Sequence, residues 1–304
     1  HTATSYNNIG LVYSNKGEYE KGLEYYLKAL EIYENVLGKE HHNTATSYNN
    51  IGSVYYAQGN YTDALNYYQK ALEIQKQMLG ESHPNVATSY NNIGMIYEAK
   101  GMYNQALDYY QKALEIRKQV WGKSHPEVAI SYNNIGMVYY YRGARDLALA
   151  NYQQALEIQK QVLGESHPNV AMSYNNIGAI YYSKGAYDLA LENYQKALEI
   201  RKQVLNESHP DMAISYNNIG GVYDDLGDYD KALGYYFKAL EIREKVLGAE
   251  HPDMAQSYNN IGSTYVELGD HNKALEYHLK ALEIREKVLG LEHPDMAQSY
   301  NNIG

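Results

Sequence analysis

The chain has 304 residues, with 26 Lys and Arg against 36 Asp and Glu, a net charge of −10 and no cysteine. That balance repels a phosphate backbone and argues against nucleic acid as a partner. The missing thiols exclude a disulfide framework and thiolate metal sites without fixing the compartment, and no apolar run reaches the roughly 18 residues of a membrane span, so no membrane insertion is expected.

One hexapeptide, Ser-Tyr-Asn-Asn-Ile-Gly, recurs eight times at a spacing of 42, beginning at Ser5, Ser47, Ser89, Ser131, Ser173, Ser215, Ser257 and Ser299. A period held without insertion means one supersecondary unit stacked on copies of itself, each burying its apolar face against its neighbours. The spacing predicts a single solenoid domain over residues 1–304, made of seven repeats and a partial eighth. Solenoids work through the long surface they present, which favours binding or structural work over chemistry at one buried site. The chain opens at His1 in mid-phase and stops at Gly304 inside a first helix, so it is expected to be an excerpt of a longer array.

In chain order, the copy from Thr46 to Ala87 shows the elements. Tyr48, Ile51, Gly52 and Tyr55 fall at i, i+3, i+4 and i+7, the stripe of an amphipathic helix. Gln58-Gly59-Asn60 breaks the pattern. A longer stripe follows through Tyr61, Ala64, Leu65, Tyr68, Ala71, Leu72 and Ile74 to Met78 and Leu79. Gly80 is a helix-stop signal. Glu81-Ser82-His83-Pro84 then turns the chain into the next copy, and all six prolines (84, 126, 168, 210, 252, 294) share this phase, where proline opens a helix. The expectation is 14 helices, alternately short and long, with a partial fifteenth and no strand.

Tyr48, Ile51, Gly52, Tyr55, Gly59, Tyr61, Ala64, Tyr68 and Ala71 resemble the tetratricopeptide repeat. Gly52 and Ala64 let the two helices of a unit approach, and Ala71 admits the next unit. The unit is longer than the usual 34 residues, and its Leu-Gly-x-x-His-Pro ending is similar to the 42-residue kinesin-light-chain-like subclass. The resemblance implies an all-α, right-handed superhelical solenoid of antiparallel helix pairs, with first helices lining a concave groove. Gly22, Arg145, His271 and His278 depart from the pattern, as does His42 in place of proline.

Positions that vary among near-identical copies carry information. One such column holds Ser14, Tyr56, Glu98, Tyr140, Tyr182, Asp224 and Val266; Asn15, Ala57, Ala99, Tyr141, Ser183, Asp225 and Glu267 stand beside it, and Leu11, Ser53, Met95, Met137, Ala179, Gly221 and Ser263 one turn earlier. At about 100° per residue these lie away from the core stripe. Tyr56, Glu98, Tyr140, Tyr182 and Asp224 are therefore candidate partner contacts, against the alternative of neutral drift at exposed positions. The paired asparagines are mediocre helix formers and want a reason. The reading adopted is a split. Asn49, Asn91, Asn133, Asn175, Asn217 and Asn259 face a peptide backbone, whose donors and acceptors an amide can match. Asn50, Asn92, Asn134, Asn176, Asn218 and Asn260 bridge neighbouring repeats.

Histidine recurs at 41, 83, 125, 167, 209, 251 and 293. Repeats stack about 8–10 Å apart, too far for one histidine per repeat to converge on zinc, so a turn or capping role is expected and no metal. No phosphate-binding loop motif is present, and the serine of each hexapeptide lacks a paired base. Asn60-Tyr-Thr and Asn206-Glu-Ser match the glycosylation pattern weakly. No cofactor is expected. The expected function is a non-enzymatic scaffold binding a protein or extended peptide. The alternatives are copies joined end to end into a structural fibre, or the sensor arm of a larger signalling protein.

Overall fold

A computed structural model describes residues 1–248, 250–289 and 294–303. Among the described residues there are fifteen α-helices and no strand. The first helices of the repeats are α1 (Thr2–Asn15), α3 (His42–Ala57), α5 (Pro84–Ala99), α7 (Pro126–Tyr141), α9 (Pro168–Ser183), α11 (Pro210–Asp225), α13 (Pro252–Glu267) and α15 (Pro294–Ile303). The second helices are α2 (Tyr19–Leu37), α4 (Tyr61–Leu79), α6 (Tyr103–Trp121), α8 (Arg145–Leu163), α10 (Tyr187–Val204), α12 (Tyr229–Leu247) and α14 (His271–Leu289). The short–long alternation and the helix count are those the period predicts.

Each boundary has a local cause. His83 holds extended backbone, and its Nδ1 accepts the Asn85 N–H at 3.2 Å, while Pro84 opens the helix. His41, His125, His167, His209 and His251 cap their helices in the same way, satisfying one N–H that the first turn leaves open. His293 lies outside the described residues. At the other end, Gly80 stops α4 with φ of 85°, a conformation that glycine adopts without a steric penalty. Asn206 stands in that phase of the fifth copy. There α10 ends one residue early at Val204, and Leu205 turns extended.

The small residues of the first helices have a packing reason. A Cβ on Gly136 would sit 2.9 Å from Cε1 of Tyr152, and one on Gly94 would sit 2.7 Å from Tyr110. The buried tyrosine of the second helix thus lies flat on the glycine of the first, and the two helices close over it.

By contact the chain divides into two compact units, His1–Ile158 and Gln159–Gly304. In the first, one core cluster joins Tyr26 and Leu30 of α2, Ala45, Tyr48, Ile51 and Val54 of α3, and Ala71 and Ile74 of α4. In the second, Ala190, Tyr194 and Leu198 of α10 pack with Met212, Ala213, Ile219 and Val222 of α11 and with Ala239 and Ile242 of α12. In both units, therefore, a core belongs to two successive repeats rather than to one, which is how an element without a private core becomes stable.

Candidate functional site

The first helix of a repeat is held against the preceding long helix by a polar junction. Its centre is the hexapeptide serine, which is buried at Ser89, Ser131, Ser173, Ser215 and Ser257. Fourteen residues earlier stands a buried partner. Ser89 donates to Gln75 Oε1 at 2.7 Å and Ser173 to Gln159 Oε1 at 2.6 Å. At the other junctions the direction reverses: Arg117 Nη1 donates to Ser131 at 2.7 Å, Arg201 to Ser215 at 2.6 Å and Arg243 to Ser257 at 2.5 Å. A hydroxyl can serve as donor or acceptor, which explains why serine suits both kinds of junction.

The partner covaries with the second residue of the helix it meets. Gln75 and Gln159 precede Asn85 and Asn169 by ten residues; Arg117, Arg201, Arg243 and Arg285 precede Glu127, Asp211, Asp253 and Asp295 at the same spacing. Arg117 Nη2 lies 2.9 Å from Glu127 Oε2, and Arg201 Nε lies 4.0 Å from Asp211 Oδ2. Burial pulls the pKa values of Arg117, Arg201 and Arg243 below the ordinary guanidinium value, and the acidic neighbour partly restores each. Each junction is thus either charged on both sides or neutral on both. The single-copy reading of the sequence missed these residues, whereas comparing positions 33 to 43, 75 to 85 and so on across copies would have found them.

The paired asparagines lie beside these junctions. Asn134 Nδ2 donates to Asn91 Oδ1 at 2.8 Å, Asn218 to Asn175 at 2.9 Å and Asn260 to Asn217 at 3.0 Å. Asn49 Oδ1 accepts from Ser89 at 3.3 Å. In the three amide bridges the first asparagine of one repeat accepts and the second of the next donates, whereas Asn7 donates its Nδ2 to Ser47 at 3.3 Å. Asn91, Asn133 and Asn259 are buried, while Asn49, Asn175 and Asn217 are half-buried. Asn50, Asn92, Asn134, Asn176, Asn218 and Asn260 are all half-buried.

The variable column presents larger and more exposed groups. Tyr140 and Tyr182 are 38% and 36% exposed and Tyr141 54%; Tyr56, Glu98 and Asp224 are half-buried. In the first unit Tyr56 packs on Tyr61, with centroids 5.7 Å apart, and Tyr141 stacks on Tyr103 at 5.9 Å. Glu98 Oε2 accepts the Tyr110 hydroxyl at 2.7 Å. Burial raises the Glu98 pKa above the ordinary carboxylate value, against the lowering effect of that hydrogen bond. In the second unit Asp224 accepts from Thr264 Oγ1 at 2.7 Å. Burial raises the Asp224 pKa too; the Thr264 bond opposes this, and Asp225 and Glu267 add to it. Tyr182 is pushed upward by burial and then by Asp225. One turn earlier, Ser53 pairs with the Tyr68 hydroxyl at 3.0 Å.

The tetratricopeptide repeat family model matches residues 1–77, 47–119, 127–203, 170–245, 211–287 and 253–304. This chain belongs to the tetratricopeptide repeat family. Among solved structures, this tetratricopeptide protein is similar to BtubC (BKLC) from P. vanneervenii, with 24% identity over 76% of this chain and 92% of that one and a TM-score of 0.65. It is also similar to the Podosopora anserina putative kinesin light chain with nearly identical TPR-like repeats, with 22% identity over 68% and 98% of the two chains and a TM-score of 0.58. The apo form of RapI shares 19% identity over 95% and 99%, with a TM-score of 0.70. These likenesses bear on the fold alone, and one of the three neighbours is named as a putative kinesin light chain. No curated protein matches the chain.

Membership of the family suggests an interaction scaffold that binds proteins or peptides. Among the described residues no helix is long and apolar enough to cross a membrane, and no group of three or more His, Asp or Glu is placed to hold a metal. A depression of about 520 Å³ in the second unit is lined by the 205–208 loop, α10, α11 and α12, including Lys202, Tyr216 and Lys238. None of the variable-column residues lines it, so it lends that column no enclosed cavity.

Proposed function

We propose that this tetratricopeptide array is a non-enzymatic scaffold that binds an extended peptide, or such a segment of a partner protein, along the first-helix faces of its repeats. The observation that carries the reading is the contrast between one column of sites and the others. The capping histidines, the glycine under each aromatic ring and the junction serine barely change from copy to copy, while the column from Ser14 to Val266 changes in size, charge and polarity. Identical packing with a varied lining is what selective recognition needs, and half-exposed tyrosines supply large, rigid contact area at low entropic cost. Asn49, Asn175 and Asn217 support a backbone-reading role as well. Their carbonyl oxygens are engaged between repeats, which leaves their Nδ2 groups to offer a peptide carbonyl.

The test is selection of a displayed random dodecamer library on the full chain, followed by titration calorimetry of the winning peptides. Replacing Tyr56, Tyr140 and Tyr182 with alanine should weaken the selected peptides by about tenfold or more. Replacing Gln105, Gln111 and Gln153, which are exposed on the second helices, should leave affinity unchanged. Equal binding to the tyrosine variant would refute the first-helix face as the site.

A further inference from the structure

Glu98 occupies an unusual position in the first unit. Of the column members there, Ser14, Tyr56, Glu98 and Tyr140, it alone carries charge. Its carboxylate is half-buried and accepts one hydrogen bond, from Tyr110 at 2.7 Å. Among the described residues no lysine, arginine or histidine forms an ion pair with it, although Lys112 and Arg117 on the adjoining α6 pair with Asp108 and Glu127. A charge withdrawn from water without a counter-ion is unfavourable, and the raised pKa of Glu98, caused by burial, reports that cost. The packing uses it only as an acceptor for the Tyr110 hydroxyl, a role that needs no charge, and the same column position holds tyrosine in the copies on either side.

The walls around the carboxylate are aromatic. Tyr56 comes from the repeat before and Tyr141 from the repeat after. Tyr56 packs against the core cluster that holds Ile93 and Ile96 of α5, and the Glu98 charge adds to the burial that raises both hydroxyls, after Tyr61 in the case of Tyr56. Tyr141 is fixed by its stack on Tyr103 and by Tyr140, whose centroid is 5.8 Å away. Aromatic faces carry the negative end of the ring quadrupole and attract a cation within about 6 Å. A carboxylate with partly exposed tyrosines from the repeats on either side suits a positively charged group, and it repels phosphate or carboxylate. With one acidic side chain it lacks the several oxygen donors that calcium or magnesium takes.

We propose that Glu98, with Tyr56 and Tyr141 as walls, is a pocket for one lysine or arginine side chain of a bound peptide. This rests on the peptide-binding reading and specifies its partner: a segment carrying a basic residue, drawn to a chain of net charge −10. On binding, the cation offsets the cost of the buried carboxylate, and the tyrosine rings cover its aliphatic stem.

An oriented peptide array, with one position fixed to each amino acid in turn and the others degenerate, tests this with the full chain as the probe. The wild-type chain should retain arginine- and lysine-fixed spots over glutamine and norleucine by about tenfold, the worth of a charge-assisted hydrogen bond. Glu98→Gln should abolish that preference while still retaining peptides selected at other positions. It should melt no lower than wild type, because the amide oxygen still accepts from Tyr110. Tyr56→Leu keeps the charge, removes one ring face and should reduce the preference by about two- to fivefold. A wild-type chain that binds peptides with no basic preference, or a preference that survives Glu98→Gln, overturns the pocket and leaves the groove reading standing. Retention of no peptide at all overturns both.

Discussion

The matched junctions make a quantitative prediction at Arg117 and Glu127. The perturbation is a swap of the charged junction for the neutral kind, by Arg117→Gln, Glu127→Asn and both together. Arg117 is 4% exposed and Glu127 37%, with 2.9 Å between Nη2 and Oε2. At an effective dielectric near 20 the gross attraction at that distance is about 6 kcal/mol. Desolvation of the guanidinium cancels most of it, and the partial exposure of Glu127 screens more. Breaking the pair from one side is another matter. Glu127→Asn leaves a buried guanidinium with only Ser131 and the residue-127 carbonyl as acceptors, at a cost of about 3 kcal/mol, the low end for a broken buried pair. Arg117→Gln frees Glu127 to turn toward water and should cost about 1.5 kcal/mol. The double variant reproduces the junction seen at Gln75, Ser89 and Asn85, where serine donates to the glutamine carbonyl, and should lie within about 1 kcal/mol of wild type. The coupling energy is then about 3.5 kcal/mol, large for neighbouring sites. Urea denaturation followed by helical circular dichroism measures all four proteins. A double variant as unstable as the sum of the singles would refute the matched-junction argument.

Two further outcomes follow from the packing. Gly136→Ala would place a methyl 2.9 Å from the Tyr152 ring and should destabilise by about 1–3 kcal/mol through overpacking; Gly234→Ala in α12, with nothing within 4 Å, should instead stabilise by about 0.5–1 kcal/mol, and thermal melts of the two should move in opposite directions. His278 fills the place of that tyrosine over Gly262. It is buried, and burial, then the Arg285 charge, depresses its pKa below 6.5. The folded chain therefore resists a proton that the unfolded chain accepts, so the stability tied to neutral His278 is fully present above pH 6.5 and is lost as pH falls from there through the depressed folded value. His278→Tyr should raise the melting temperature at pH 5 more than at pH 8. An equal gain at both would show that the imidazole charge is not what matters.

The features readable from sequence are those with local causes. A helix begins at Pro84 because His83 caps it and proline cannot extend the chain before it; α4 stops at Gly80 because only glycine takes that backbone turn without strain. Each signal acts within a few residues, so the period of 42 carries the count, order and phase of all the helices. The shared side of the variable column was readable for the same reason, since the helical angle alone sets which side Tyr56, Glu98 and Tyr140 share. What Ser131 bonds to was not readable within one copy, because Arg117 reaches it from fourteen residues away across a stacking register that no local rule sets; only the paired changes at 117 and 127 across copies mark the junction. The engagement of Asn91 by Asn134, 43 residues on, belongs to the same register, and only stacked repeats bring the two amides together. Burial made the last decision. Asp108 and Glu98 are both carboxylates in amphipathic helices, but packing leaves the first exposed beside Lys112 and half-buries the second against Tyr110, where no lysine, arginine or histidine among the described residues pairs with it.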